Sequence, residues 1–241
     1  MEGILHRTIY NMKHGYELIH DFLTKEEHEK YLKTCNRVYN NALQNPNNEH
    51  YTWYEDNHLN KIDGAVKFER EFLELASHPI LVKRAKEILG IDTNVDIFIS
   101  KFFPMKPNGG VSTFMHQDNY YFRDNPKKMV SCCVYLQDTY KENGCLRVAK
   151  DSHLNGLVEH DTISEVSGIK WIGDDILSNY EIVDLEFPAP YSVFFHIDSI
   201  HGCYTNQSDS TRFSLAWEYV DSTYKIKNNQ SHVAYDRTPT L

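Results

Sequence analysis

The sequence predicts an α+β chain, helices first and an antiparallel, mostly β core after them. Three observations carry that class. Apolar residues recur at helical spacing up to Gly90. From Asn94 the texture turns β-branched and aromatic. Turn signals such as Asn143-Gly144 then separate short extended runs.

The first helix is expected to open at Thr24, with Thr24 as N-cap and Glu27 as its capping-box partner. A second is expected over Ala65–Ala76, where Phe68, Phe72 and Leu75 share a face. A third begins at Pro79, runs through Leu81, Ala85 and Leu89, and stops at Gly90. Strands are expected at Val95–Phe103, Met129–Leu136, Cys145–Val148, Tyr180–Phe187, Tyr191–Ile197 and Arg212–Val220. Trp217 is expected on the outer side of its strand, against the helices. The segment from Ser222 is polar and reads as a loose tail or flap. With 241 residues this is one domain: helices over about 20–90, a β core over about 94–221 and a polar tail over 222–241.

Composition excludes several classes. Lys+Arg number 25 against 34 Asp+Glu, a formal charge of −9, which disfavours nucleic acid and anionic lipid as partners. No apolar run is long enough to span a bilayer, so no membrane partner is expected. The opening residues carry no basic-then-apolar pattern, so no secretory leader is expected. The five cysteines are odd in number and lack CxxC spacing, which points to a reducing, cytoplasmic setting.

Histidine carries the chemistry. On extended backbone, His-x-Asp presents an imidazole and a carboxylate to one side, and a distant third ligand completes a 2-His-1-carboxylate face with open positions for a non-haem iron. With 13 His in 241 residues, chance supplies about one such pair. The chain has two, His116-Gln117-Asp118 and His196-Ile197-Asp198. The first is the better candidate, because both His196 and His201 lie downstream to complete it. Arg212 opens a strand and shares a face with Ser214. A planar guanidinium beside a metal suits a carboxylate-bearing cosubstrate such as a 2-oxo acid.

At this point the residues resemble a known family. Lys106-Pro107-Asn108-Gly109-Gly110 through His116-Gln117-Asp118-Asn119-Tyr120-Tyr121-Phe122 is similar to the phytanoyl-CoA dioxygenase family of Fe(II)/2-oxoglutarate oxygenases. So are Asn143-Gly144-Cys145-Leu146 through Ser152-His153, and His201-Gly202-Cys203-Tyr204-Thr205-Asn206-Gln207-Ser208 followed by Arg212. The opening Gly15-Tyr16 and Phe22–Glu27 also fit, so the likeness runs through nearly the whole chain in order.

The resemblance implies a double-stranded β-helix, a cupin-like jelly roll, flanked by N-terminal helices. It implies Fe(II) held by His116, Asp118 and His201, O2, and 2-oxoglutarate with its far carboxylate on Arg212. Cys203 stands where the family usually has Ser, a poorer hydrogen-bond partner, and Ser214 is placed to assist. Lys61 is assigned to the cosubstrate, with Lys101 as the competing lysine. Tyr120, Phe122 and Cys133 are assigned to the substrate pocket, Cys133 in or near the place of a family tryptophan. His196 becomes a strand or supporting residue. A carboxylate at position 118 implies hydroxylation or a related oxidation of a small molecule. Two rival readings stand beside this one: a catalytically silent cupin-like metal- or ligand-binding protein, and another metalloenzyme on the same scaffold.

Overall fold

A computed structural model describes residues 12–54, 56–110, 112–162, 170–226 and 237–241. A strand absent from the sequence expectation, β1 (Tyr16–His20), precedes helix α1 (Lys25–Gln44). Thr24 caps α1 as expected. Its hydroxyl accepts the Glu27 N–H at 3.2 Å, and the Glu27 carboxylate accepts the Thr24 N–H at 2.8 Å. Two more unexpected strands follow, β2 (Tyr51–Trp53) and β3 (Leu59–Asp63).

The helix expected over Ala65–Ala76 is two helices, α2 (Ala65–Phe68) and α3 (Arg70–Ala76), parted at an extended Glu69. The break lets the Glu69 carboxylate meet Arg37 of α1 at 2.9 Å. It also turns Phe68 out of the core, 55% exposed, to stack on His50. Helix α4 (Pro79–Leu89) starts on its proline and ends at Gly90, whose φ of 63° favours glycine.

The chain continues through β4 (Val95–Met105), α5 (Asp118–Phe122), β5 (Met129–Tyr135), β6 (Leu146–Ala149), β7 (Asp161–Thr162) and β8 (Lys170–Trp171). It then forms α6 (Asp174–Leu177), β9 (Ile182–Leu185), β10 (Tyr191–Phe195), β11 (His201–Cys203), β12 (Arg212–Asp221) and β13 (Thr238–Pro239). The larger sheet runs β1-β10-β5-β12-β4-β3-β2, with β13 also paired to β4, and a smaller sheet runs β11-β6-β9. The two face each other: Cys133, Tyr135, Tyr191, Val193 and Phe195 of the larger sheet pack on Leu146, Val148 and Leu185 of the smaller. This is the antiparallel jelly roll.

Strand alternation divides β12 between two environments. Phe213, Leu215, Trp217 and Tyr219 join Cys132, Val134 and Phe194 in a core with Tyr31, Phe72, Leu81 and Ala85 of the helices. Trp217 therefore packs where expected. Arg212, Ser214, Ala216 and Glu218 occupy the other side, toward the smaller sheet. The tail is less loose than its polarity suggests. Thr238 pairs with Ile97, and Arg237 holds Asp96 at 2.7 Å. Residues 227–236 of that expectation lie outside the described residues. No helix among the described residues is long and apolar enough to cross a membrane.

Candidate functional site

His116 and His201 are brought together by backbone. Each donates its N–H to the other's carbonyl at 2.9 Å, a single antiparallel bridge that sets their rings 4.5 Å apart. The His116–Asp118 pair does not lie on a continuous strand, as the spacing suggested. Gln117 is extended, at φ −116° and ψ 130°, and Asp118 opens the short helix α5. The extended residue between them keeps both side chains on one side. His116 Nε2 lies 3.6 Å and His201 Nε2 3.7 Å from Asp118 Oδ1. One ligand atom from each of the three residues lies within 4.8 Å of the others.

Supporting hydrogen bonds aim these atoms. His116 Nδ1 meets the Phe114 carbonyl at 2.8 Å and His201 Nδ1 the Ser199 carbonyl at 3.0 Å. A carbonyl only accepts, so both Nδ1 atoms carry the proton and both Nε2 lone pairs face inward. Ser131 Oγ donates to Asp118 Oδ2 at 2.7 Å, leaving Oδ1 toward the imidazoles. Burial works against the Asp118 charge, but His201, His116 and Lys101 hold its carboxyl well below the usual range. Burial pushes His201 down to about 4. At neutral pH the site thus offers a carboxylate and a neutral His201 imidazole, the protonation states a divalent metal needs. Two nitrogens and one carboxylate oxygen, half-buried or buried and preset, fit ferrous iron.

The segment bearing His116 and Asp118 is itself braced. Gln117 is fully buried. Its amide N–H donates to His160 Nε2 at 3.0 Å, and its side chain donates to the carbonyls of Gly156 and Asp198 at 2.7 and 2.6 Å. Asn119 Nδ2 donates to Asp198 Oδ1 at 2.7 Å. The second His-x-Asp is therefore not a ligand set; His196 lies in the turn after β10, and Asp198 supports the first pair.

Arg212 is 3% exposed. Its guanidinium donates to Ser214 Oγ at 2.8 Å and the Gly144 carbonyl at 2.7 Å, with the Tyr135 ring 5.4 Å away. Those partners are neutral, and no carboxylate pairs with it among the described residues. A buried guanidinium with neutral partners fits a ligand carboxylate, which would supply the missing counter-charge. A Cβ on Gly144 would lie 2.6 Å from Met105 Sδ and 2.8 Å from the Tyr204 carbonyl, so glycine there lets this wall close.

The remaining sequence candidates fall in several places. Cys203 accepts the Thr113 N–H through Sγ at 3.2 Å. Cys133 faces inward beside Phe195 and opposite Ala216, and burial pushes its thiol up to about 11. Lys61 is committed to Asp63, at 2.9 Å. Lys101, the competing lysine, is the one whose charge acts on Asp118 and His201. Tyr120 stacks on His160 at 3.9 Å, and Tyr121 rather than Tyr120 sets its ring against His116, at 5.9 Å. Phe122 packs in a core with Phe98, Met129 and Val220. The sequence reading missed the supporting roles of Gln117, Asn119, Ser131 and Asp198. Only Ser131 carried a usable signal, since alternation along its strand places it on the inward face with Cys133.

Known proteins share this chain's sequence pattern and fold. The sequence model of the phytanoyl-CoA dioxygenase (PhyH) family matches residues 12–214. A phytanoyl-CoA dioxygenase of Arabidopsis thaliana is 30% identical over 126 residues, 51% of this chain and 44% of that protein. A probable alpha-ketoglutarate-dependent hypophosphite dioxygenase of Stutzerimonas stutzeri is 22% identical, covering 86% of this chain and 74% of its own. Among solved structures, the epimerase SnoN in complex with Fe3+, alpha ketoglutarate and nogalamycin RO superposes with a TM-score of 0.72 at 20% identity, over 95% of this chain and 91% of that one. EctD from S. alaskensis with 2-oxoglutarate and 5-hydroxyectoine gives 0.74 at 18% identity, over 94% and 82%. The likeness in structure extends across the jelly roll and its helices.

Proposed function

We propose, for a chain that belongs to the phytanoyl-CoA dioxygenase family, that it is an Fe(II)/2-oxoglutarate-dependent dioxygenase oxidising an unactivated C–H of a small molecule. The overall change is R–H + O2 + 2-oxoglutarate giving R–OH + succinate + CO2. The observation that carries this reading is the convergence of His116, Asp118 and His201 together with the burial of Arg212, on the inward side of β12, without a carboxylate partner among the described residues.

Bound iron supplies the O2 activation. The chain's own residues do the rest. His116 and His201 offer Nε2 because their Nδ1 protons are spent on carbonyls. Ser131 holds Asp118 Oδ2 and so leaves Oδ1 to ligate. Arg212, steadied by Ser214 and Gly144, grips the far carboxylate of 2-oxoglutarate, and Cys203 lines that grip. The paired sheets exclude water from the space between.

The phytanoyl-CoA of some relatives' names is not carried over. The chain spans 44% of the length of the Arabidopsis protein, and its charge of −9 suits a compact small molecule better than a polyphosphate carrier. Five buried thiols, none in a disulfide, support a cytoplasmic, reducing setting.

The test is iron-dependent succinate formation from 2-oxoglutarate, with and without candidate substrates. The wild-type protein is expected to decarboxylate 2-oxoglutarate slowly alone and faster with substrate, and His116→Ala not at all. Succinate formation that survives His116→Ala would refute the site. Metal and 2-oxoglutarate binding with no succinate from any substrate would favour the silent binding protein.

A further inference from the structure

We propose that Glu218 is the substrate anchor of this site and that it receives an organic ammonium group; the proposal rests on the oxygenase reading above. Glu218 lies on the inward row of β12, six residues beyond Arg212, and is 4% exposed. Its cross-strand partner on β5 is Ser131, the residue whose hydroxyl holds Asp118. Directly opposed side chains in an antiparallel pair are about 5 Å apart at Cβ. The carboxyl is therefore one residue pair away from the metal ligands.

Two features set this glutamate apart from an ordinary buried acid. Glu218 Oε2 is buried with no hydrogen-bond partner among the described residues. Folded chains rarely leave such an atom unmet, and a site that binds a donor is one reason to do so. The β4–β12 register also slips at this residue: Trp217 pairs with Ser100 but Tyr219 with Ile97. The extra residue lies on β4, so Phe98 and Ile99 stand opposite the single Glu218, and such irregularities concentrate beside active sites.

The surroundings select the charge of the donor. Burial pushes the Glu218 carboxyl up to about 8, with Lys101 opposing the rise and Asp118 adding to it. A buried carboxyl oxygen without a donor is best met by a charged donor, which brings both the hydrogen bond and the counter-charge, and an ammonium does so. Beside His116, Phe114 and Tyr121 are 40% and 39% exposed, and the Tyr121 ring meets His116 edge-on. Aromatic rings attract an organic cation while it sheds water. The inward row of β12 thus has complementary ends. Arg212 takes the anionic cosubstrate, and Glu218 takes the cationic end of the substrate, whose chain then lies along the metal face.

The test uses the full chain loaded with Co(II) in place of iron and with 2-oxoglutarate. Hexylammonium, 1-hexanol and hexanoate are titrated against it, and the Co(II) visible spectrum and the binding constants are recorded. Wild-type protein is expected to bind hexylammonium about tenfold more tightly than the other two, as a charge-assisted contact requires. Glu218→Gln keeps the shape, removes the charge and is expected to abolish that preference, while its Co(II) and 2-oxoglutarate affinities stay at wild-type values. A preference that persists in Glu218→Gln overturns the anchor. So does a wild-type preference for the alcohol or the acid, or an equal loss of Co(II) affinity in the variant. If Glu218→Gln does not fold, Glu218→Asp replaces it: a weakened ammonium preference supports the anchor, and an unchanged one overturns it. Wild-type protein that takes up neither Co(II) nor 2-oxoglutarate sinks the oxygenase reading and the anchor with it. Uptake of both without an ammonium preference sinks the anchor alone.

Discussion

The chain contains the same tripeptide pattern twice, and the two copies have opposite fates. In His116-Gln117-Asp118 the imidazole and carboxylate lie 3.6 Å apart, and in His196-Ile197-Asp198 they lie 4.0 Å apart. What differs is where the remaining atoms go. His116 Nδ1 is spent on a carbonyl, which frees Nε2 to face His201 and Asp118. His196 Nδ1 instead accepts the Asp198 N–H at 3.1 Å, and Asp198 Oδ1 accepts from Asn119. The carboxyls respond accordingly. Asp118 is held low by two imidazoles and Lys101 against its burial, whereas burial raises Asp198, with Asn119 opposing. Spacing supplies a pair of donors; the partners of the second nitrogen and the second oxygen decide whether they form a site.

The contrast breaks most easily at the metal. Asp118→Ala or His201→Ala is expected to lower Co(II) affinity by more than about 100-fold, beyond the usual loss from a merely supporting partner. His196→Ala, in the copy with the same spacing, is expected to leave it within about threefold. Isothermal titration of the two sets decides the matter, and comparable losses in both would erase the distinction drawn here.

A sharper version asks whether the second copy serves the first. Asp198→Ala removes the acceptor of Asn119 and frees the segment carrying Asp118. A loss of roughly 10-fold in metal affinity is expected, with a changed Co(II) spectrum, while Asp198→Asn recovers part of it. Unchanged metal affinity and spectrum in Asp198→Ala would mean that the two segments are independent.

Acid separates the copies in another way. Burial lowers both His201 and His196 to about 4 from an ordinary 6.5, with His153 adding to the effect at His196. Their folded-state values lie below the unfolded ones, so the unfolded chain takes up protons first. Stability of the metal-free protein should therefore fall as pH drops from about 6.5 to about 4, by roughly 3 kcal/mol per histidine. Urea unfolding at stepped pH measures the slope. His196→Asn should flatten it by about half without affecting metal uptake. In a metal-loaded sample the His201 contribution should extend below about pH 4, because the ion keeps that imidazole unprotonated there.

Much of the architecture could be read from residue patterns, because it depends on local chemistry. The Thr24–Glu27 box, the Pro79 start and the Gly90 stop act within a few residues, and the alternation in β12 is visible along one strand. What escaped depends on distant partners. The break at Glu69 answers to Arg37 of another helix, and nothing in residues 65–76 announces it. Strands β1 to β3 are short, and they are strands because β10 offers β1 an edge, β4 offers one to β3, and β3 in turn to β2. The meeting of His116, Asp118 and His201 and the inward place of Arg212 were legible because family motifs set them in order along the chain. The brace from Asn119 to Asp198 was not, since an amide and a carboxylate 79 positions apart carry no pattern.

The smallest effect concerns Cys203, the departure from the family's usual serine. Its Sγ accepts the Thr113 N–H, a weak bond. Cys203→Ser would place a stronger acceptor there and a hydroxyl able to donate to a ligand carboxylate. The expected gain is about 0.5–1 kcal/mol, or roughly two- to fivefold tighter 2-oxoglutarate binding, with the Co(II) affinity unchanged. A titration of 2-oxoglutarate into the Co(II) protein reads it directly. A gain in the keto-acid constant alone would place position 203 with Arg212, on the cosubstrate side of the site. A shift in the metal constant would instead tie it to His201, two residues away on the same strand face.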